Sequence, residues 1–161
     1  MDAPPHPNIA RVVAAAERAG IRVKVKRFAE GTRTASDAAR AIGCDVSQIV
    51  KSLIFIADGQ PVVALLSGSD RLDTDKLAAA LGAARVRRAT GDEARAGTGY
   101  AIGGVPPFAH ASVLPVLMDE RLGRHDALWA AAGLPDAVFE ITPIALRQIS
   151  AARLADLAQD A

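Results

Sequence analysis

Lys51 sits inside the run "QIVKSLIFIADGQPVVALL" (Gln48 to Leu66), which is otherwise mostly apolar and β-branched. A cation there has three fates. It can snorkel to a sheet edge with its stem buried, pair with a carboxylate, or end in a pocket where its charge meets a ligand. Burying an unpaired ammonium is costly, so a pocket lysine implies an anionic or carbonyl-bearing partner. The second chemically suggestive stretch is "GGVPPFAH", Gly103 to His110. Gly103 and Gly104 allow a ligand to approach main-chain N–H groups, and Pro106 and Pro107 stiffen the chain beyond them. A rigid loop exposing N–H donors suits a carbonyl or carboxylate oxygen; the plain alternative is a tight structural turn. No Ser-His-Asp set, Cys-His set or HExxH motif accompanies these residues. His6, His110 and His125 are isolated. Asp70, Asp73 and Asp75 are spaced like the start of a calcium loop, but the later glycine and glutamate are missing, so they read as solvated capping carboxylates.

These residues need elements to hold them. A helix is expected from Asn8, capped by Asn8, with Ile9, Val12, Val13 and Ala16 on one face and Gly20 ending it. "IRVKVKRF" alternates as a half-solvated strand, with Ile21, Val23 and Val25 inward. "TRTASDAARAIG" reads as a helix capped by Thr34 and stopped by Gly43. Val50–Ile56 and Pro61–Leu66 form a hairpin across "ADGQ". A helix opens at Asp73 or Thr74 and closes at Gly82, "ARVRRA" is a short strand, and Thr90 and Glu93 have capping-box spacing. "SVLPVLMD" and "AVFEI" read as strands and "HDALWAAAG" as a short helix. "TPIALRQISAARLADLA" is a helix opened by Thr142 and Pro143. One hairpin among irregularly alternating elements predicts a single α+β domain with a mixed, partly antiparallel sheet. Residues 1–7 are expected to be a flexible tail, and 8–161 the domain.

The chain has 161 residues, half of them hydrophobic, and a net charge of +1. That excludes a disordered chain and a strongly basic nucleic-acid clamp. No apolar run is long enough to span a bilayer, and "MDAPPHPN" lacks a signal-peptide layout. The single cysteine, Cys44, reads as a small buried hydrophobe and fits a reducing cytoplasm.

Four segments, in order, carry a family resemblance: "TASDAARAIGCDVSQIVKSLIF", "DRLDTDKLAAALG", "VRRATGDEARAGTGYAIGGVPPF" and "LPVLMDERL" followed by "AAAG". Together they cover roughly residues 30–135. The chain resembles the YbaK/prolyl-tRNA-synthetase-associated editing-domain family. The resemblance implies a barrel-like mixed sheet surrounded by helices. It also implies hydrolysis, in trans, of the ester joining a wrong amino acid to transfer RNA. The key lysine maps to Lys51 and the glycine–proline loop to Gly103, Gly104, Val105, Pro106 and Pro107. His110 and Asp119 follow that loop as pocket-flanking candidates. Ser52 stands where relatives that clear alanine tend to carry asparagine, which tilts the expected substrate toward a small or hydroxyl-bearing amino acid.

Such a site compensates for a synthetase that discriminates a missing methylene by only about 1–3 kcal/mol. The expected roles are main-chain N–H groups near Gly103 and Gly104 as an oxyanion hole, and Lys51 orienting the substrate. Water would attack, assisted by a ribose hydroxyl of the substrate. Ser52, Val105, Pro106, Pro107, His110 and Asp119 are the substrate-binding candidates. No metal or cofactor is called for. The expected partners are mischarged tRNA (of proline or a related type, bearing Ala, Cys, Ser or Thr) and prolyl-tRNA synthetase or another synthetase, with no membrane and no DNA. "RVRR" (Arg85 to Arg88) is either an RNA-phosphate contact or a strand's solvent face, and Trp129 reads as helix-face packing. Two other functions fit the same pocket: a non-catalytic module that binds aminoacyl-tRNA or a synthetase, and a hydrolase of small aminoacyl esters.

Overall fold

The structure is a computed structural model that describes residues 5–28 and 34–160. Residues 1–4 of the expected tail, and 30–33 at the start of the family resemblance, lie outside the described residues. The elements run α1 (Pro7–Arg18), β1 (Val25–Arg27), α2 (Ala35–Ile42), β2 (Ile49–Ala57), β3 (Gln60–Ser67), α3 (Thr74–Leu81), β4 (Val86–Arg88), α4 (Gly91–Thr98), β5 (Val116–Asp119), β6 (Leu128–Ala131), β7 (Ala137–Ile141), α5 (Pro143–Ser150) and β8 (Arg153–Ala155).

β2 and β3 are the spine. Asp58 and Gly59 join them with φ of 48° and 82°, the two-residue turn whose twist suits a hairpin. The ladder runs from Val50 opposite Ser67 to Ala57 opposite Gln60. Both strands read as almost continuous apolar runs because both faces are covered. Val50, Ile54, Ile56, Val63 and Leu65 enter one apolar cluster. Phe55, Ala57, Val62, Ala64 and Leu66 enter another, on the opposite face. The described residues form one mixed sheet in the order β1-β7-β6-β2-β3-β5-β8, with β4 joined to β2. The pairs β2–β6, β3–β5 and β5–β8 are parallel. This is the α+β architecture that the element pattern predicts.

The caps follow the sequence closely. Thr34, Asp73, Thr90 and Thr142 each accept a main-chain N–H at a helix start, and Thr90 and Glu93 complete a capping box. Five expectations need correction. His6, not Asn8, caps α1, accepting the Asn8 N–H at 3.1 Å on Nδ1. The Asn8 side chain instead donates to the Gly133 carbonyl at 3.1 Å, tying α1 to the β6–β7 turn. In "IRVKVKRF" only Val25–Arg27 pairs as a strand, although Ile21, Val23 and Val25 do pack on the first cluster. "HDALWAAAG" is no helix: Leu128 and Ala130 are buried while Trp129 and Ala131 are half-buried, and β6 pairs on both sides. Neighbouring strands override alanine's helix preference there. Finally, the last helix stops at Ser150, because Ala151 turns left-handed (φ 54°) and β8 then pairs with β5. Cys44, read as buried, is half-buried, and its burial pushes the thiol up.

Candidate functional site

One edge of β2 is interrupted. β6 covers it only at Ile49 and Val50, and β4 with the residue after it only from Ile54, whose carbonyl accepts the Ala89 N–H at 3.0 Å, to Ala57. The Ile49 carbonyl accepts from the Gly68 N–H at 2.7 Å on the β3 side. Alternation along an antiparallel ladder then turns the amide and carbonyl of Ser52 the other way, into the gap. A cavity of about 330 Å³ wraps this edge. Its walls include Ile49, Val50, Ile54, Val105, Trp129 and Ala130, so it is largely apolar. The Ser52 hydroxyl is buried in that wall and has no hydrogen-bond partner among the described residues. Leaving such a group unsatisfied is costly, and because its oxygen is closed off it meets a ligand only through a change of rotamer.

Lys51 lines the same cavity from the opposite face of the strand. It is half-buried, and its Nζ donates to the Asp70 carbonyl at 2.6 Å. An ammonium carries three donors, so two remain for a ligand. Burial lowers its proton affinity; the Asp70 carboxylate opposes that, and Arg88 and Arg71 reinforce it. The Asp70 carboxylate is itself engaged by Arg121 at 3.0 Å. Lys51 therefore combines two of the three anticipated fates: a buried stem and a head at a cavity, steadied by a carbonyl rather than by an ion pair.

The glycine–proline loop contributes unevenly. Gly103, in the left-handed region at φ 93°, and Val105 line the cavity. Gly104 does not. Its N–H donates to the Ala101 carbonyl at 3.0 Å, so that amide is spent inside the loop and the paired-amide oxyanion hole is not formed as expected. Gly104 is required for packing instead: a Cβ there would lie 2.9 Å from the Leu134 Cα. Pro106 and Pro107 are buried behind the wall rather than in it. His110 does not line the cavity either; its Nε2 bonds the Pro106 carbonyl at 2.7 Å and braces the loop. Burial holds its imidazole below the usual value, with the Pro106 bond opposing.

Asp119, expected to flank the pocket, is elsewhere. It is buried at the end of β5, where Oδ1 accepts the N–H groups of Leu157 (2.8 Å) and Ala158 (3.2 Å) and Oδ2 that of Arg121 (3.1 Å). A carboxylate filled by three amides is a clamp for the C-terminal segment. Trp129, read from the sequence as helix-face packing, and Arg88, left open between an RNA-phosphate contact and a strand's solvent face, both line the cavity. Trp129, on β6, forms part of the wall, with Lys26 Nζ 5.2 Å from its ring. Arg88 sits at the far side of the gap. Nothing in "LWAA" itself signals this place for Trp129; the pairing of β6 with β2 does. No group of three or more potential metal ligands exists among the described residues, and no described helix is long and apolar enough to cross a membrane.

Residues 29–149 match the profile of the aminoacyl-tRNA editing domain. The chain belongs to that family. This editing domain is 32% identical over 127 residues to the uncharacterized protein YwhH of Bacillus subtilis, covering 78% of this chain and 80% of that protein. It is 36% identical over 91 residues to the proline–tRNA ligase of Acidithiobacillus ferrooxidans, covering 56% of this chain but 16% of the ligase. Among solved structures, a candidate trans-editing enzyme for prolyl tRNA synthetase matches the editing domain with a TM-score of 0.92 and 42% identity, over 98% of this chain and all of that one. The hypothetical protein APE2540 matches at 0.86 and 28% identity, over 92% and 99%. The mixed-sheet fold implied by the resemblance is thus the fold observed.

Proposed function

We propose that this domain is an aminoacyl-tRNA deacylase that hydrolyses, in trans, the ester of a mischarged tRNA. The observation that carries this reading is one small apolar cavity at an open strand edge, bordered by the Lys51 ammonium, the unpartnered Ser52 hydroxyl and Gly103. An apolar volume of about 330 Å³ suits a small side chain and the ester beside it. Similarity to part of a proline–tRNA ligase, and to a candidate trans-editing enzyme for prolyl tRNA synthetase, points to tRNA of the proline type. Alanine, cysteine, serine or threonine is the acyl group, and prolyl-tRNA synthetase the neighbouring enzyme in the cytoplasm.

In this reading Lys51 places its free N–H donors on the substrate's carbonyl or terminal ribose. The main-chain amide of Ser52, turned into the gap, takes the oxygen-holding role that Gly104 cannot fill. As the ester carbon becomes tetrahedral its oxygen gains charge, and fixed donors in a water-poor cavity stabilise it more than they do the ground state. The described cavity residues include no carboxylate or imidazole, which favours the substrate's own ribose hydroxyl as the group that directs water. Lys51→Ala should lower deacylation at least ~100-fold, with far-ultraviolet circular dichroism unchanged. The measurement is amino-acid release from a panel of mischarged tRNAs by both proteins. Near-wild-type turnover by the variant would remove Lys51 from the mechanism. Tight binding without release by the wild type would make the domain a binding module instead.

A further inference from the structure

A second concavity, of about 490 Å³, lies against β2 beyond the cavity, lined in part by Arg71, Leu72, Leu53 and Phe55. Lys51, Leu53 and Arg88 line both spaces, so the two adjoin at the lysine. Strand alternation puts Lys51, Leu53 and Phe55 on one face, and Arg88 stands directly opposite Phe55 in the β2–β4 ladder. Arg71 comes from the loop whose Asp70 carbonyl anchors Lys51. Three cations therefore converge over an apolar floor of Leu53, Phe55 and Leu72.

Carboxylates nearby offset them only in part, the Asp70 carboxylate acting on Lys51. Arg87, the neighbour on β4, is paired with Glu93 through two contacts of 2.7 Å. Arg71 and Arg88 have no carboxylate within ion-pair distance among the described residues, and the Asp70 carboxylate beside them is taken by Arg121. A chain of net charge +1 has concentrated free positive charge at one spot. Burial chiefly, and then both arginines, depress the proton affinity of Lys51 against the opposing Asp70 carboxylate.

We infer that this groove binds the last phosphodiester of a single-stranded RNA end, with Arg71 and Arg88 on the phosphate and a base or ribose face on the apolar floor. The inference rests on the deacylase reading, because the shared Lys51 places the groove directly beside the cavity that would hold the ester. Guanidinium groups bind phosphate by paired hydrogen bonds, and apolar floors accept any base without reading its sequence.

Arg71 tests this cleanly, since it lines the groove and not the cavity. Steady-state deacylation of mischarged tRNA is compared with hydrolysis of a 3′-aminoacyl-adenosine that has no 5′ phosphate. Arg71→Ala should raise KM for the tRNA about five- to tenfold with kcat little changed, and reduce the slope of log affinity against log salt by ~0.7. It should leave the adenosine ester unaffected, and Arg71→Lys should recover part of the loss. An equal KM for tRNA in Arg71→Ala, or an equal loss on the adenosine ester, overturns the inference. Fluorescence anisotropy with an uncharged CCA-ended oligonucleotide provides an arm independent of catalysis. Weaker binding by Arg71→Ala upholds the groove even if the wild type releases no amino acid, and unchanged binding refutes it. If AMP or inorganic phosphate displaces the oligonucleotide at equimolar concentration, the groove holds a mononucleotide or free phosphate and the RNA assignment falls.

Discussion

A buried hydroxyl without a partner costs about 1–3 kcal/mol relative to one in water, and Ser52 carries that cost at the cavity wall. Ser52→Ala should therefore leave the ligand-free protein as stable as before, or up to ~1 kcal/mol more stable. The same change should raise KM for the preferred mischarged tRNA. Calorimetry paired with steady-state kinetics checks both halves; a lower melting temperature would show that the hydroxyl serves the fold. At this scale the sequence was informative where a residue type was out of place. A lysine in an apolar strand and adjacent glycines before adjacent prolines are visible anomalies, and Lys51, Ser52, Gly103 and Val105 do share one cavity. Arg88 and Trp129 are ordinary residues in ordinary strands, and only the pairing of β4 and β6 with β2 reveals their place. Asp119 and His110 misled because sequence proximity to the loop does not indicate which way a side chain turns.

Among the elements, the Tyr100–His110 connection behaves as a packed unit rather than a free loop. The Tyr100 hydroxyl donates to the Ala109 carbonyl at 2.8 Å and His110 holds the Pro106 carbonyl, so both ends of the bend are fastened. Gly104 lets this bend approach the turn after β6 to within backbone contact. Gly104→Ala should cost about 1–3 kcal/mol through overpacking and lower turnover, because displacing Gly104 displaces Gly103. Chemical denaturation and the deacylation assay together measure it; an unchanged midpoint would mean that the Leu134 backbone yields freely. Helix starts were legible because a capping side chain bonds within three residues of itself, as Thr34, Thr90 and Thr142 do. β6 and β8 were not. "LWAA" and "RLA" are too short to carry a period, and each becomes a strand only because a distant strand presents a matching edge.

For the molecule as a whole, two apolar layers on one sheet carry stability, and the glycine–proline bend is sewn into the first through Val105 and Phe108. His110 ties its own protonation to that packing. Its folded-state proton affinity is below the ordinary value near 6.5, so the unfolded chain takes up a proton first as pH falls. Stability should be constant above about pH 7 and decline as pH drops through 6.5 toward the lower folded value. His110→Gln should flatten that part of the curve, read as melting temperature between pH 8 and pH 5; an identical slope in the variant would assign the decline to other groups. The α+β class and the central hairpin were readable from pattern, since hydrophobic alternation and the Asp-Gly turn act locally. Strand order was not, because β2's neighbours at 49–50 and 55–57 come from separate, distant parts of the chain. The opening they leave, residues 51–53, measures ~10 Å at the usual rise per residue. An exposed sheet margin ordinarily invites self-association by strand addition. Here the margin is capped at both limits by the protein's own strands, too short for a foreign chain to zip onto, yet wide enough to admit one small group.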